Sequence, residues 1–174
     1  MTDQAVVAVQ IGRRLRAEVV AATRCHLNLP VVVRVPPVLD DGTPFPTRWW
    51  LSCPLATRRV ARLESAGGVR RLESYLASQP ELAARLADAH DRYAAERSAA
   101  LPEGADPIPT GGVGGIGGAG LKCLHAHYAD TAAGHDNPVG ALVRPYVEPL
   151  DCAVPCVISE DDAAIPNPDW RERS

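Results

Sequence analysis

The chain has 174 residues, of which 46% are hydrophobic and 22% charged, and its formal net charge is −3. This length predicts one domain with a real core. The acidic balance argues against a general nucleic-acid or anionic-membrane binder, which normally carries a basic surplus. No apolar stretch approaches the roughly 20 residues of a membrane span, and the amino terminus lacks a secretory leader pattern. We therefore expect a cytoplasmic protein whose five cysteines are reduced.

The first third of the chain predicts a helix followed by a small antiparallel sheet. Apolar spacing over residues 3–11 indicates the helix, which Gly12 would end. Valine-rich segments at 17–24 and 31–35 predict two strands joined by a turn, and residues 47–52, with two tryptophans, predict a third.

The middle and C-terminal parts predict helices. They are expected over residues 54–66, 69–77, 80–100, 121–133 and 139–147. Residues 78–81 (Ser-Gln-Pro-Glu) fit a capping box in front of the third of these helices. The tail from residue 149 to 174 is rich in proline and acidic residues, which predicts irregular structure. The expected fold class is α+β, with one domain over 1–148 whose N-terminal sheet is packed by the helices.

A glycine-rich run at 111–120 leads directly into residues 121–128, which hold a thiol, two imidazoles and the chain's only lysine. Backbone amides in such a loop, ahead of a helix N-terminus, can bind a phosphate or carboxylate. The candidate anion site comprises Gly115, Gly117, Gly120 and Lys122. No convincing strand precedes the run, so it is a weak dinucleotide-binding fingerprint, and a mobile hinge or lid is an equal alternative.

Sulfur and imidazole nitrogen in this segment are the ligand types that zinc selects. We predict a zinc site formed by Cys25, Cys53, Cys123 and either His125 or His127. On a helix Cys123 and His127 share a face, which favours His127. If Cys123 instead lies just before the first helical turn, His125 could reach the metal. Four ligands would make the metal structural, and three plus water would allow hydrolytic chemistry.

Three other interpretations remain open. Cysteines outside disulfides are often small buried hydrophobes. Cys53 or Cys123 could be a nucleophile near a helix N-terminus, with Lys122 lowering the thiol pKa at Cys123. The protein could instead be an interaction module whose proline-rich loop (36–46) and tryptophans contact a protein partner. Cys152 and Cys156 lie in the predicted irregular tail and form only a weak metal motif on their own.

Several strings together resemble an uncharacterised bacterial family, mainly actinobacterial, known as a domain of unknown function. They are Arg24-Cys25, Gly42-Thr-Pro-Phe-Pro-Thr47, Leu51-Ser-Cys-Pro54, Arg62-Leu-Glu64, Lys122-Cys-Leu-His-Ala-His-Tyr-Ala129 and Asp136-Asn-Pro-Val-Gly140. The resemblance covers roughly residues 3–147 and leaves out the tail. It implies membership of the family but no activity, so it leaves open whether the protein is an enzyme.

Overall fold

The structure is a computed structural model that describes residues 1–117 and 120–173; Gly118 and Ala119, in the predicted anion loop, and Ser174 lie outside the described residues. Within that part the fold is α+β, with helices packed around a small antiparallel sheet, which confirms the predicted class. No described helix has both the length and the apolar character needed to cross a bilayer.

The elements follow the predicted order closely. The helices are α1 Asp3–Gln10, α2 Pro54–Ser65, α3 Gly68–Ala77, α4 Pro80–Ala99, α5 Leu124–Ala132 and α6 Pro138–Val147. The strands are β1 Val20–Arg24, β2 Pro30–Arg34, β3 Trp49–Leu51, β4 Val157–Glu160 and β5 Ala163–Pro166.

The three-stranded sheet has the order β1-β2-β3, and all neighbours are antiparallel. Its central strand β2 is buried on both faces. Val32 joins the main core with helices α2, α5 and α6, whereas Val33 joins a second cluster with Val7 of α1. The sheet therefore lies between α1 and the other helices, and the side chains of β2 form part of two cores.

Helix α5 is the most enclosed helix, because seven of its nine residues are buried. Leu124 and Tyr128 pack into the main core together with Leu55 and Leu86. Helix α5 contacts α6, β3 and α2, and its first turn meets α2 through the Leu124 amide and the His125 ring. This placement buries His127 completely and leaves Cys123 and His125 half-buried at the start of the helix.

Two local features differ from the sequence predictions. The capping box does not form: Gln79 is the N-cap of α4 without a side-chain cap, and the Ser78 hydroxyl donates to the Tyr75 carbonyl oxygen at 2.7 Å. The tail contains the β4–β5 hairpin rather than only irregular chain. Its turn uses Asp161 and Asp162 at φ 47° and 63°, a backbone conformation that Asp tolerates better than most residues.

Candidate metal centre

The candidate site begins where α5 begins. Cys123 is the N-cap residue, in extended conformation, and its side chain does not cap the helix. That role passes to Glu64 near the end of α2, whose Oε1 accepts a hydrogen bond from the Leu124 amide at 2.5 Å. A carboxylate is favourable there because the helix N-terminus presents unpaired amides and positive partial charge.

His125 lies between two hydrogen-bond acceptors. Its Nδ1 is 3.1 Å from Glu64 Oε1, and its Nε2 is 3.2 Å from the Thr57 carbonyl oxygen. A neutral imidazole carries only one N–H, so it can satisfy only one of them. If Nε2–H donates to Thr57, as metal-bound histidines commonly donate to a backbone carbonyl, the Nδ1 lone pair faces the carboxylate. A cation bound there would satisfy both atoms.

Cys123 completes the group. One ligand atom each from Glu64, Cys123 and His125 all lie within 4.8 Å of one another, and all three residues are half-buried. Two ligands of one tetrahedral zinc, each bound at about 2.0–2.3 Å, lie roughly 3.3–3.8 Å apart, so His125 Nδ1 and Glu64 Oε1, at 3.1 Å, are already close to that separation. The described residues therefore contain a thiol, an imidazole and a carboxylate that could hold a metal ion.

A pocket of about 270 Å³ adjoins this group, and Cys123 and His125 form part of its wall. Trp49, Gly114 and Lys122 also line it. The lysine supplies a positive charge at the pocket, so an anionic ligand would be favoured there.

Burial raises the pKa of the Cys123 thiol above its usual value, and the charge of Glu64 contributes to the increase, although nearby backbone amides and Lys122 oppose it. The thiol is therefore protonated at neutral pH. Coordination to a metal would reverse this, because the thiolate is the form that binds.

A family model described as "Protein of unknown function (DUF501)" matches residues 21–145. The chain belongs to the DUF501 family. This confirms the resemblance to a family of unknown function. No curated protein and no solved structure matches the chain. The DUF501 match includes the whole Glu64, Cys123 and His125 group, so the candidate metal centre lies within the family domain.

The structure divides the ligand set predicted from sequence. Cys123 and His125 meet Glu64, whereas Cys25, Cys53 and His127 are outside this group. Cys123 is the N-cap and lies just before the first helical turn. This is the arrangement in which we expected that His125, instead of His127, could reach the metal. Glu64 was missed as a ligand, although it lies in the Arg62-Leu-Glu64 string of the resemblance, because nothing in the spacing links α2 to α5.

His127 belongs to a buried polar network on the other side of α5. Its Nδ1 contacts the Asn137 side chain at 3.1–3.2 Å, and the Asn137 amide donates to Asp130 Oδ2 at 3.0 Å. Arg92 donates to the same oxygen at 2.6 Å. Burial lowers the pKa of His127 to about 4, with a further contribution from nearby His90. His127 is therefore a neutral core residue at physiological pH.

The described part of the glycine run packs against this network. The Val113 amide donates to His90 Nδ1 at 3.0 Å, and a Cβ on Gly112 would clash with the same atom. Gly114 and Gly115 have φ of 68° and 81°. The glycines here allow a close, left-handed turn over His90, while Gly117 has nothing near it. Anion binding by Gly115, Gly117, Gly120 and Lys122 stays a prediction.

Proposed function

We propose that the protein binds one divalent metal ion, preferentially zinc, between Glu64, Cys123 and His125. The observation that supports this most is the approach of a thiol, an imidazole nitrogen and a carboxylate oxygen to within 4.8 Å of one another. These are the three ligand types that zinc accepts in proteins. Together, a thiolate and a carboxylate also balance the charge of a dication.

The site would be an open one. Three protein ligands leave a fourth position of a tetrahedral zinc for water, which is the arrangement of catalytic rather than structural zinc. Zinc lowers the pKa of such a water to about 7, and this makes it a nucleophile at neutral pH. With Lys122 in the adjoining pocket, the chemistry that fits is hydrolysis of a small anionic substrate.

The raised pKa of Cys123 favours this proposal over the alternative of a free thiol nucleophile. Nucleophilic cysteines have lowered pKa values, because the thiolate attacks. Burial acts on Cys123 in the opposite direction, and a bound metal supplies the charge that the thiolate needs.

The proposal is tested by the zinc content of protein purified without chelator, measured by elemental analysis. Cys123→Ala and His125→Gln should each remove one zinc ion per chain while circular dichroism shows a folded protein. Glu64→Gln should lower occupancy but keep the oxygen that accepts from Leu124. Glu81→Gln, an exposed glutamate on α4, is the matched control and should leave zinc unchanged. Folded variants with the wild-type zinc content would refute the proposal.

A further inference from the structure

Four of the five cysteines gather at one end of the three-stranded sheet. We call Cys25, Cys53, Cys152 and Cys156 the cysteine cluster. Cys25 and Cys152 pack against the main core that contains Cys53, and Cys25 and Cys156 each pack against a third cluster that contains Leu29. The cluster draws on three separate segments of chain and shares no residue with the Glu64, Cys123 and His125 group.

The sheet brings the first two cysteines together. Cys25 directly follows β1, and its amide donates to the Leu29 carbonyl oxygen at 2.9 Å across the turn into β2. Cys53 follows β3, and its amide donates to the Val31 carbonyl oxygen at 3.2 Å. Both cysteines therefore flank the beginning of β2, one on each side.

The C-terminal tail brings Cys152 and Cys156 to the same end of the sheet. The Cys152 carbonyl oxygen lies 3.0 Å from Nε2 of His26, the residue that directly follows Cys25. Gln10 donates both to the Pro30 carbonyl oxygen at 2.9 Å and to the Cys156 sulfur at 3.7 Å, so it links Cys156 to the beginning of β2. The Cys152-Ala-Val-Pro-Cys156 spacing thus returns two thiols to the same end of the sheet.

The surroundings of the sulfurs suit thiolates. Trp170 Nε1–H donates to the Cys152 sulfur at 3.3 Å, as Gln10 does to Cys156, and Cys53 is the N-cap of α2, where the helix dipole favours negative charge. N–H donors at two of the sulfurs and a helix N-terminus at a third would stabilise thiolate ligands once a cation is bound.

We infer that the cysteine cluster is a second metal site, a structural zinc site with four thiolate ligands that fastens the C-terminal tail to the sheet. Tetrahedral zinc with four thiolates is a closed structural arrangement. Within the described residues no three of the four sulfurs all lie within 4.8 Å of one another, so binding requires side-chain rotation to close the site. Two of the ligands lie beyond the DUF501 match, which ends at residue 145.

The test uses the full chain and two readouts. The double variant Cys152→Ala/Cys156→Ala should lose one zinc ion per chain in elemental analysis, and this loss should add to that of Cys123→Ala. Ser159→Ala, a change in the same tail, is the control and should lose none. In the second readout, wild-type protein is loaded with Co²⁺, and its sulfur-to-cobalt charge-transfer absorption is compared with that of the Cys123→Ala variant.

A cluster site predicts that Cys123→Ala keeps most of the charge-transfer intensity, since four of the five coordinating sulfurs remain. It also predicts that alkylation of these four cysteines in wild-type protein becomes fast only after chelation. The inference is overturned if the folded double variant keeps all its zinc, or if Cys123→Ala abolishes the cobalt–sulfur absorption. Should the double variant not fold, the cobalt spectrum and the alkylation pattern decide. Failure here would leave the Glu64 site untouched, because the two sites share no ligand.

Discussion

Helix α5 places two histidines, two residues apart, in opposite environments. His125 is half-buried beside an open pocket, between a carboxylate and a carbonyl oxygen. His127 is fully buried, with Asn137 on one nitrogen. The first arrangement leaves room for a metal and a ligand, whereas the second is closed by protein on all sides. Residue type alone therefore does not make a site: of these two imidazoles, His125 is the one that lies beside a thiol, a carboxylate and a pocket.

We call the buried His127 environment the closed side of α5 and the His125 environment the open side. Among changes on the closed side, Asn137→Ala should lower the free energy of unfolding most. Asn137 caps α6 through the amides of Val139 and Gly140 and also contacts His127 and Asp130. Losing the cap and leaving buried partners unsatisfied should cost about 3–4 kcal/mol of unfolding free energy. Urea unfolding measures this. If the two sides are separate, zinc content of the folded fraction should not change. A loss below about 1 kcal/mol would mean that the network is not structural.

The next prediction concerns the pH dependence of stability. The pKa of His127 falls from an ordinary value of 6.5 in the unfolded chain to about 4 in the fold, so between these values the unfolded chain binds more protons. The contribution of His127 to the free energy of unfolding is therefore complete above pH 6.5. It falls by about 3 kcal/mol as the pH is lowered toward 4. His127→Gln should make the curve flatter by that amount. Identical slopes for the two proteins between these pH values would contradict the assignment.

The sequence predicts the secondary structure better than it predicts the ligand groups. Periodicity and proline or glycine boundaries predicted the helices and the three-stranded sheet, because these signals are local. The start of α6 is local in the same way, because Asn137 accepts from the first amides and Pro138 suits the first turn. Glu64 could not be found, because its meeting with His125 depends on how α2 packs against α5. The spacing of Cys152 and Cys156 forms only a weak metal motif, because the return of the tail to the sheet depends on long-range packing that the sequence does not show.

Glycine substitutions test whether the glycine run belongs to the closed side. Gly112→Ala places a Cβ against His90 Nδ1, closer than van der Waals contact allows, and should cost about 1–3 kcal/mol through overpacking. Gly117→Ala meets nothing within 4 Å and should stay within about 0.5 kcal/mol. Thermal or urea unfolding of the pair measures the difference. Equal stabilities would show that the run does not pack on His90 as described.

A small effect on stability is expected at the open side, the His125 side of α5. Glu64→Gln keeps an oxygen for the Leu124 amide but removes the negative charge at the N-terminus of α5. Loss of this charge–dipole attraction should lower the free energy of unfolding of the metal-free protein by about 0.3–1 kcal/mol. Urea unfolding in the presence of chelator measures this. A cost near that of Asn137→Ala would place Glu64 among core structural residues instead.

A metal between Glu64, Cys123 and His125 would be located by anomalous diffraction at the zinc edge from crystals grown with zinc. We expect an anomalous peak about 2.0–2.1 Å from His125 Nδ1 and about 2.3 Å from Cys123 Sγ, with Glu64 beside it. Well-ordered density for these three side chains, with zinc in excess and no anomalous peak between them, would contradict it.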